Sequence, residues 1–126
     1  MSYVMEILLV DDDEEVAELA QLLLIKRGHS VRHVPTGEDC LSLLDSGYHP
    51  DLILMDVFMP GKDGLQITRE IKRNPRTKDI PVLLFTVMGT LSGIEEAAKK
   101  AGAIGYIPKP FNRSEFLAYI ESVAKA

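Results

Sequence analysis

The sequence predicts an α/β domain built on a parallel β-sheet. Three observations carry that reading. The 126 residues, 46% of them hydrophobic and 26% charged, have the size and composition of one globular domain. Five short apolar runs recur along the chain, at 7–10, 30–34, 51–55, 80–85 and 104–107. Each is followed by a segment of helical character, and strict strand–helix alternation favours a parallel sheet covered by helices.

The elements follow in order. "ILLV" (7–10) is the first strand, and the segment after it, "EEVAELAQLLLIKRG", places Val16, Leu19, Leu23 and Lys26 at helical spacing before stopping at Gly28. "SVRHV" is the second strand, and Thr36 is placed to cap a helix carrying Leu41 and Leu44 that ends at Gly47. "DLILM" and "IPVLLF" are apolar without alternation, as expected of strands covered on both faces. Asp63 opens the helix "DGLQITREIKRN" between them. The fourth helix, "LSGIEEAAKKAG", is the weakest, with Gly93 in its first turns and mostly alanine for apolar surface. "IGYI" is the last strand. Asn112 and Glu115 then resemble a capping box ahead of Phe116, Leu117, Ile120 and Val123.

Bulk properties exclude several classes. A net charge of −5 does not draw nucleic acid to the molecule, and no apolar run approaches the roughly 18 residues of a membrane span. The N-terminus has no basic region ahead of its apolar part and so does not read as a secretory signal. The one cysteine, Cys40, has no partner for an internal disulfide; it lies among leucines and reads as a small core residue. A cytoplasmic setting is compatible with this usage.

Ligands of open parallel sheets bind beyond the carboxyl ends of the strands. The residues found there are Asp11, Asp12 and Asp13 after the first strand, Asp56 after the third, Thr86 after the fourth and Lys109 after the fifth. If those strands are neighbours, the groups converge, and a convergent carboxylate cluster calls for a cation. A hard divalent ion such as Mg²⁺, which takes oxygen ligands and keeps waters, suits it. Asp13 reads as a charge favouring the helix N-terminus, with Glu14 and Glu15 solvated. His29, His33 and His49 are scattered along the chain and read as surface residues that are neither phosphodonors nor zinc ligands.

Together, "LLVDDD", "DLILMDVFMPGKDG", the threonine of "VLLFT" and "GAIGYIPKPF" resemble the receiver domain of two-component response regulators over essentially the whole chain, 1–126. The resemblance implies a flavodoxin-like (βα)5 three-layer sandwich with five parallel strands ordered 2-1-3-4-5. It implies Asp56 as phosphoacceptor and Mg²⁺ held by Asp11, Asp12, Asp56 and the backbone carbonyl of Phe58. Lys109 would pair with Asp56 or the phosphoryl oxygens, Thr86 would bond the phosphoryl group, and Tyr106 would be the aromatic switch. It also implies a cis Lys109–Pro110 bond and places Pro108 on an edge strand. A carboxylate is a recognised nucleophile toward phosphoryl groups and is ordinarily ionised at neutral pH.

The implied partners are a sensor histidine kinase or phosphotransfer protein and a downstream protein target or output domain, meeting the face of helix 4, strand 5 and helix 5. Direct contact with nucleic acid or membrane is not expected. The sequence ends after the fifth helix, so the expectation is a stand-alone receiver or a fragment of a larger regulator. Phe58, Val87 and Met88 depart from the commonest family pattern, being apolar where polar or small residues are frequent; they are expected to form an apolar rim over Asp56 that slows attack by water. Two rival functions exist. A Mg²⁺-dependent phosphohydrolase with an aspartyl intermediate usually has a second acid two residues after the nucleophile, where Phe58 stands. A degenerate receiver acting only as a binding module would have lost Asp56, an acid of the pair or Lys109, and all are present.

Overall fold

The computed structural model describes residues 4–87 and 93–124. The strands are β1 (Glu6–Val10), β2 (Ser30–Val34), β3 (Leu52–Met55), β4 (Val82–Thr86) and β5 (Gly105–Pro108). The helices are α1 (Glu14–Lys26), α2 (Gly37–Asp45), α3 (Gly64–Arg73), α4 (Ile94–Ala101) and α5 (Arg113–Ala124). All neighbouring strands are parallel, and the sheet order is β2-β1-β3-β4-β5. The fold class and strand order expected from the sequence are both found.

Alternation along the strands sorts two cores. Leu8, Val10, Ile53, Met55, Val82 and Leu84 face α2, α3 and α4, while Ile7, Leu9, Leu54, Leu83, Phe85 and Ile107 face α1 and α5. Since β1, β3 and β4 are buried on both faces, they are apolar throughout except for Glu6, which opens β1, and Thr86, which closes β4.

Capping follows the sequence. The carboxylate of Asp13 accepts from the Val16 N–H, the Thr36 hydroxyl oxygen from the Asp39 N–H, and the Asn112 side chain from the Glu115 N–H. Asp63 and Gln66 form a reciprocal capping box at α3. Pro108 lies on the edge strand β5, and the Lys109–Pro110 bond is cis. Cys40 is buried, and burial pushes its thiol up to about 12, which makes it an inert core residue.

Helix α1 departs from expectation. Its buried side is Ala17, Ala20, Leu23 and Leu24, whereas Leu19 is 43% exposed, with Leu22 and Ile25 more so. The helix lies against the sheet through its alanines, and small side chains permit that close approach. Helix α4 is observed from Ile94, immediately after Gly93 in a left-handed conformation (φ 89°), so the glycine precedes the helix instead of interrupting it. Leu91 and Ser92, assigned to this helix from the sequence, lie outside the described residues, as does Met88.

Candidate functional site at the carboxyl edge of the sheet

The sheet's hydrogen-bond ladder runs one residue past the strands and thereby places the site. The Asp11 N–H donates to the Val34 carbonyl at 3.2 Å, the Asp56 N–H to the Val10 carbonyl at 2.9 Å, and the Lys109 N–H to the Thr86 carbonyl at 3.0 Å. Three charged residues are thus held by backbone at one edge, each the first residue beyond a strand. The order of the strands reverses between β1 and β3, where Asp11 and Asp56 emerge.

One carboxylate oxygen from each of Asp11, Asp12 and Asp56 lies within 4.8 Å of the others. Asp11 is fully buried, Asp56 is 4% exposed, and Asp12 is open to solvent. The Lys109 Nζ reaches this cluster, 2.6 Å from Asp11 Oδ2 and 3.6 Å from Asp56 Oδ2. Its stem crosses the Phe85 ring, with Nζ 5.0 Å from the centroid. Phe85 is itself braced by Phe111 and Phe116, at centroid distances of 5.6 and 5.5 Å.

The satisfied and unsatisfied atoms divide clearly. Asp11 Oδ1 accepts from the Asp13 N–H, and Asp56 Oδ1 accepts a long bond from the Phe58 N–H. Asp11 Oδ2, though close to Lys109, is buried without a directed hydrogen bond among the described residues. The contact with Lys109 is therefore an ion contact of poor hydrogen-bond direction. A buried anionic oxygen in that condition, beside two further carboxylates, fits a hard divalent cation with oxygen ligands.

Burial, chiefly, raises the Asp56 pKa from 3.8 to about 7; Lys109 opposes the rise, and Asp11 adds to it. Desolvation outweighs the attraction of Lys109 and holds the acceptor's pKa above the ordinary carboxylate value.

Thr86 is fully buried at the end of β4. It shares a sheet face with Leu84 and Tyr106, since Leu84 pairs with Tyr106 and Thr86 with Pro108. Tyr106 is half-buried against the α2–α4 core. The structure thus gathers Asp11, Asp12, Asp56 and Lys109 in one cluster, with Thr86 at the same edge. Tyr106 stands one strand across and further from the edge. Phe58 and Val87 follow the ends of β3 and β4 and are 51% and 56% exposed.

Of the three histidines read as surface residues, His29 departs from that reading. His29 is buried; its Nδ1 accepts from the Met5 N–H, and Nε2 lies 3.3 Å from Glu121 on α5. His33 Nε2 lies 2.7 Å from the carbonyl oxygen of Asp11. His49 is exposed as expected, yet 3.4 Å from Asp79. These contacts join residues 24, 92, 22 and 30 positions apart, so neighbours in sequence held no sign of them. Strand order was the available signal for His33: β2 beside β1 sets residues 33 and 34 alongside 9 and 10.

The fold and site define an α/β domain whose acidic pocket faces a lysine at the carboxyl edge of a parallel sheet. Residues 7–121 match the family model described as response regulator receiver domain. The chain belongs to that family: it is a receiver domain of two-component response regulators. It is 38% identical over 124 residues to the transcriptional regulatory protein CpxR of Klebsiella pneumoniae, covering 95% of this chain and 49% of that protein. It is 40% identical over 120 residues to protein PetR of Rhodobacter capsulatus, covering 94% of this chain and 48% of that one. The chain therefore spans about half the length of these curated relatives. Among solved structures it resembles the chemotaxis response regulator CheY4 of Vibrio cholerae (TM-score 0.86, 26% identity, 95% of this chain and 98% of that chain). It also resembles the receiver domain of a signal transduction histidine kinase from Syntrophus aciditrophicus (TM-score 0.86, 30% identity, 96% and 90% covered). No helix among the described residues is long and apolar enough to cross a membrane.

Proposed function

We propose that this receiver is a Mg²⁺-dependent switch in which Asp56 accepts a phosphoryl group from a sensor histidine kinase or phosphotransfer protein in the cytoplasm. The observation that carries this reading is the cluster of Asp11, Asp12 and Asp56 oxygens within 4.8 Å, with Asp11 Oδ2 buried and undirected. An Asp56 carboxylate oxygen attacks phosphorus, a P–O bond forms, and the bond from phosphorus to the donor breaks. Asp11, Asp12, Asp56 and the Phe58 carbonyl would hold the ion. Bound there, Mg²⁺ supplies positive charge toward the phosphoryl oxygens. Lys109 supplies a second positive charge at the same place, and the Thr86 hydroxyl a neutral donor.

Response then passes through the face that Thr86 and Tyr106 share. Tyr106, Ile104, Phe111 and Tyr119 line a groove of about 580 Å³ between α4, β5 and α5. Helix α4 is short, with only Ile94, Ala98 and Ala101 buried, and so has little apolar area to fix it. This face is the reading's contact surface for a protein target or output domain. Direct contact with nucleic acid is not part of the reading for a domain of net charge −5.

The test is intact mass after incubation with acetyl phosphate, with Mg²⁺ or EDTA, for wild type and Asp56→Asn. A single phosphoryl adduct on wild type with Mg²⁺, absent from the variant and with EDTA, is expected. A folded wild type that binds Mg²⁺ and takes no adduct would overturn the reading in favour of a binding module.

The rim carries a second expectation. With Phe58 and Val87 both exposed beside the cluster, Phe58→Asn admits a polar group that can position water. Its aspartyl phosphate should decay about fivefold faster than that of wild type, equivalent to roughly 1 kcal/mol of barrier. Equal decay rates remove any role for the rim.

A further inference from the structure

We propose that His33 is a positioning residue for the cation site, acting through the Asp11–Asp12 peptide. The inference rests on the phosphoacceptor reading and deepens it.

Asp11 and Asp12 are consecutive, yet both carboxylates must face one ion. In an extended strand, successive side chains point to opposite faces, so the chain has to leave strand geometry between them. It does so under three restraints. The Asp11 N–H donates to the Val34 carbonyl, the Asp13 N–H donates to Asp11 Oδ1 at 2.9 Å, and the Asp11 carbonyl lies 2.7 Å from His33 Nε2.

The third restraint replaces a missing rung. In a parallel ladder a residue that donates to position 34 accepts from the N–H of position 36. Here position 36 is Thr36, the N-cap of α2, where the chain has turned into a helix. His33 presents a ring nitrogen to the orphaned carbonyl instead. A carbonyl only accepts, so Nε2 carries the proton and donates.

Fixing the Asp11 carbonyl fixes the plane of the Asp11–Asp12 peptide, because the peptide unit is rigid. The Asp12 side chain is exposed and makes no hydrogen bond of its own among the described residues, so backbone alone sets its direction. His33 therefore adds to the backbone restraint on the one carboxylate of the three that makes no hydrogen bond of its own among the described residues. Partners at this remove from a metal are commonly worth about 10- to 100-fold in affinity.

The test is Mg²⁺ titration by calorimetry on wild type, His33→Leu and His33→Gln, with thermal midpoints in EDTA. The expected result is about tenfold weaker Mg²⁺ binding by His33→Leu and recovery to near wild-type affinity in His33→Gln, whose amide can donate at similar reach. The EDTA midpoints should not follow the affinities. Wild-type affinity in His33→Leu overturns the proposal, as does a loss of equal size in His33→Gln. Should the leucine variant not fold, His33→Asn, whose amide stops short of the carbonyl, is titrated instead, and unchanged affinity overturns the proposal equally. A wild type that gives no Mg²⁺ binding overturns the phosphoacceptor reading and this inference with it. Weaker binding confined to His33→Leu, with His33→Gln near wild type, supports the role of His33.

Discussion

Lys109→Met lowers the thermal midpoint of the metal-free protein by about 8 °C at pH 8, and by clearly less at pH 5. Methionine keeps the apolar stem over Phe85 and removes only the charge. Two carboxylates within 4.8 Å of each other, Asp11 fully buried and Asp56 nearly so, then lose the one cation that contacts both among the described residues. Breaking such a pair typically costs about 3–5 kcal/mol. The loss is smaller here, about 2 kcal/mol, because Asp56 can escape by keeping its proton.

The direction with pH follows from that escape. The native state holds the Asp56 proton more tightly than the unfolded chain does, since its pKa rises from 3.8 to about 7. That stabilising contribution is complete below about pH 4 and is lost as pH rises through 7. Lys109 opposes the rise, so without it the native pKa climbs further and the penalty keeps growing above 7. Wild type and variant therefore diverge between pH 5 and pH 8. Saturating Mg²⁺ should close most of the gap, since it supplies positive charge to the same oxygens. A midpoint difference independent of pH would show that Lys109 stabilises the fold by something other than charge.

The sequence foretells the position of the acids better than their state. Asp11 and Asp56 directly follow apolar runs and Lys109 follows one after Pro108, so a strand-end rule suffices to collect them. The ionisation of Asp56 is a different matter, because burial by residues from several strands sets it and no local pattern records that. The histidines show the same divide. His33 meets Asp11 across two strands, and His29 meets Glu121 across 92 residues. Helix α1 shows a third kind of limit. Spacing alone did not tell which leucines face the sheet: α1 buries Ala17, Ala20, Leu23 and Leu24 and leaves Leu19 43% exposed, so packing against the sheet decides the face.

Gly64→Ala is expected to be the most damaging single change beside the site, lowering the midpoint by about 10 °C and slowing phosphorylation of Asp56 together. Gly64 is the first residue of α3, and its N–H donates to the Val57 carbonyl at 2.9 Å. A Cβ there would lie 2.0 Å from the Asp56 carbonyl oxygen, 2.8 Å from its carbon and 3.0 Å from Met55 Cγ. Two of those three atoms are backbone, which cannot rotate aside. The helix cannot easily retreat either, because Asp63 and Gln66 lock its first turn and Ile67 and Ile71 anchor it in the core. Either the Asp56–Val57 peptide shifts or α3 lifts from the sheet. A shift of that peptide also carries Phe58, the residue whose carbonyl is proposed to face the ion. Overpacking of this kind costs about 1–3 kcal/mol, and the backbone contact places Gly64 at the upper end. Thermal melting in EDTA and the rate of adduct formation with acetyl phosphate check the two effects separately. A midpoint within about 1 °C of wild type would mean that α3 accommodates the methyl group by sliding. The close seating of the helix against the acceptor's backbone would then not constrain the site.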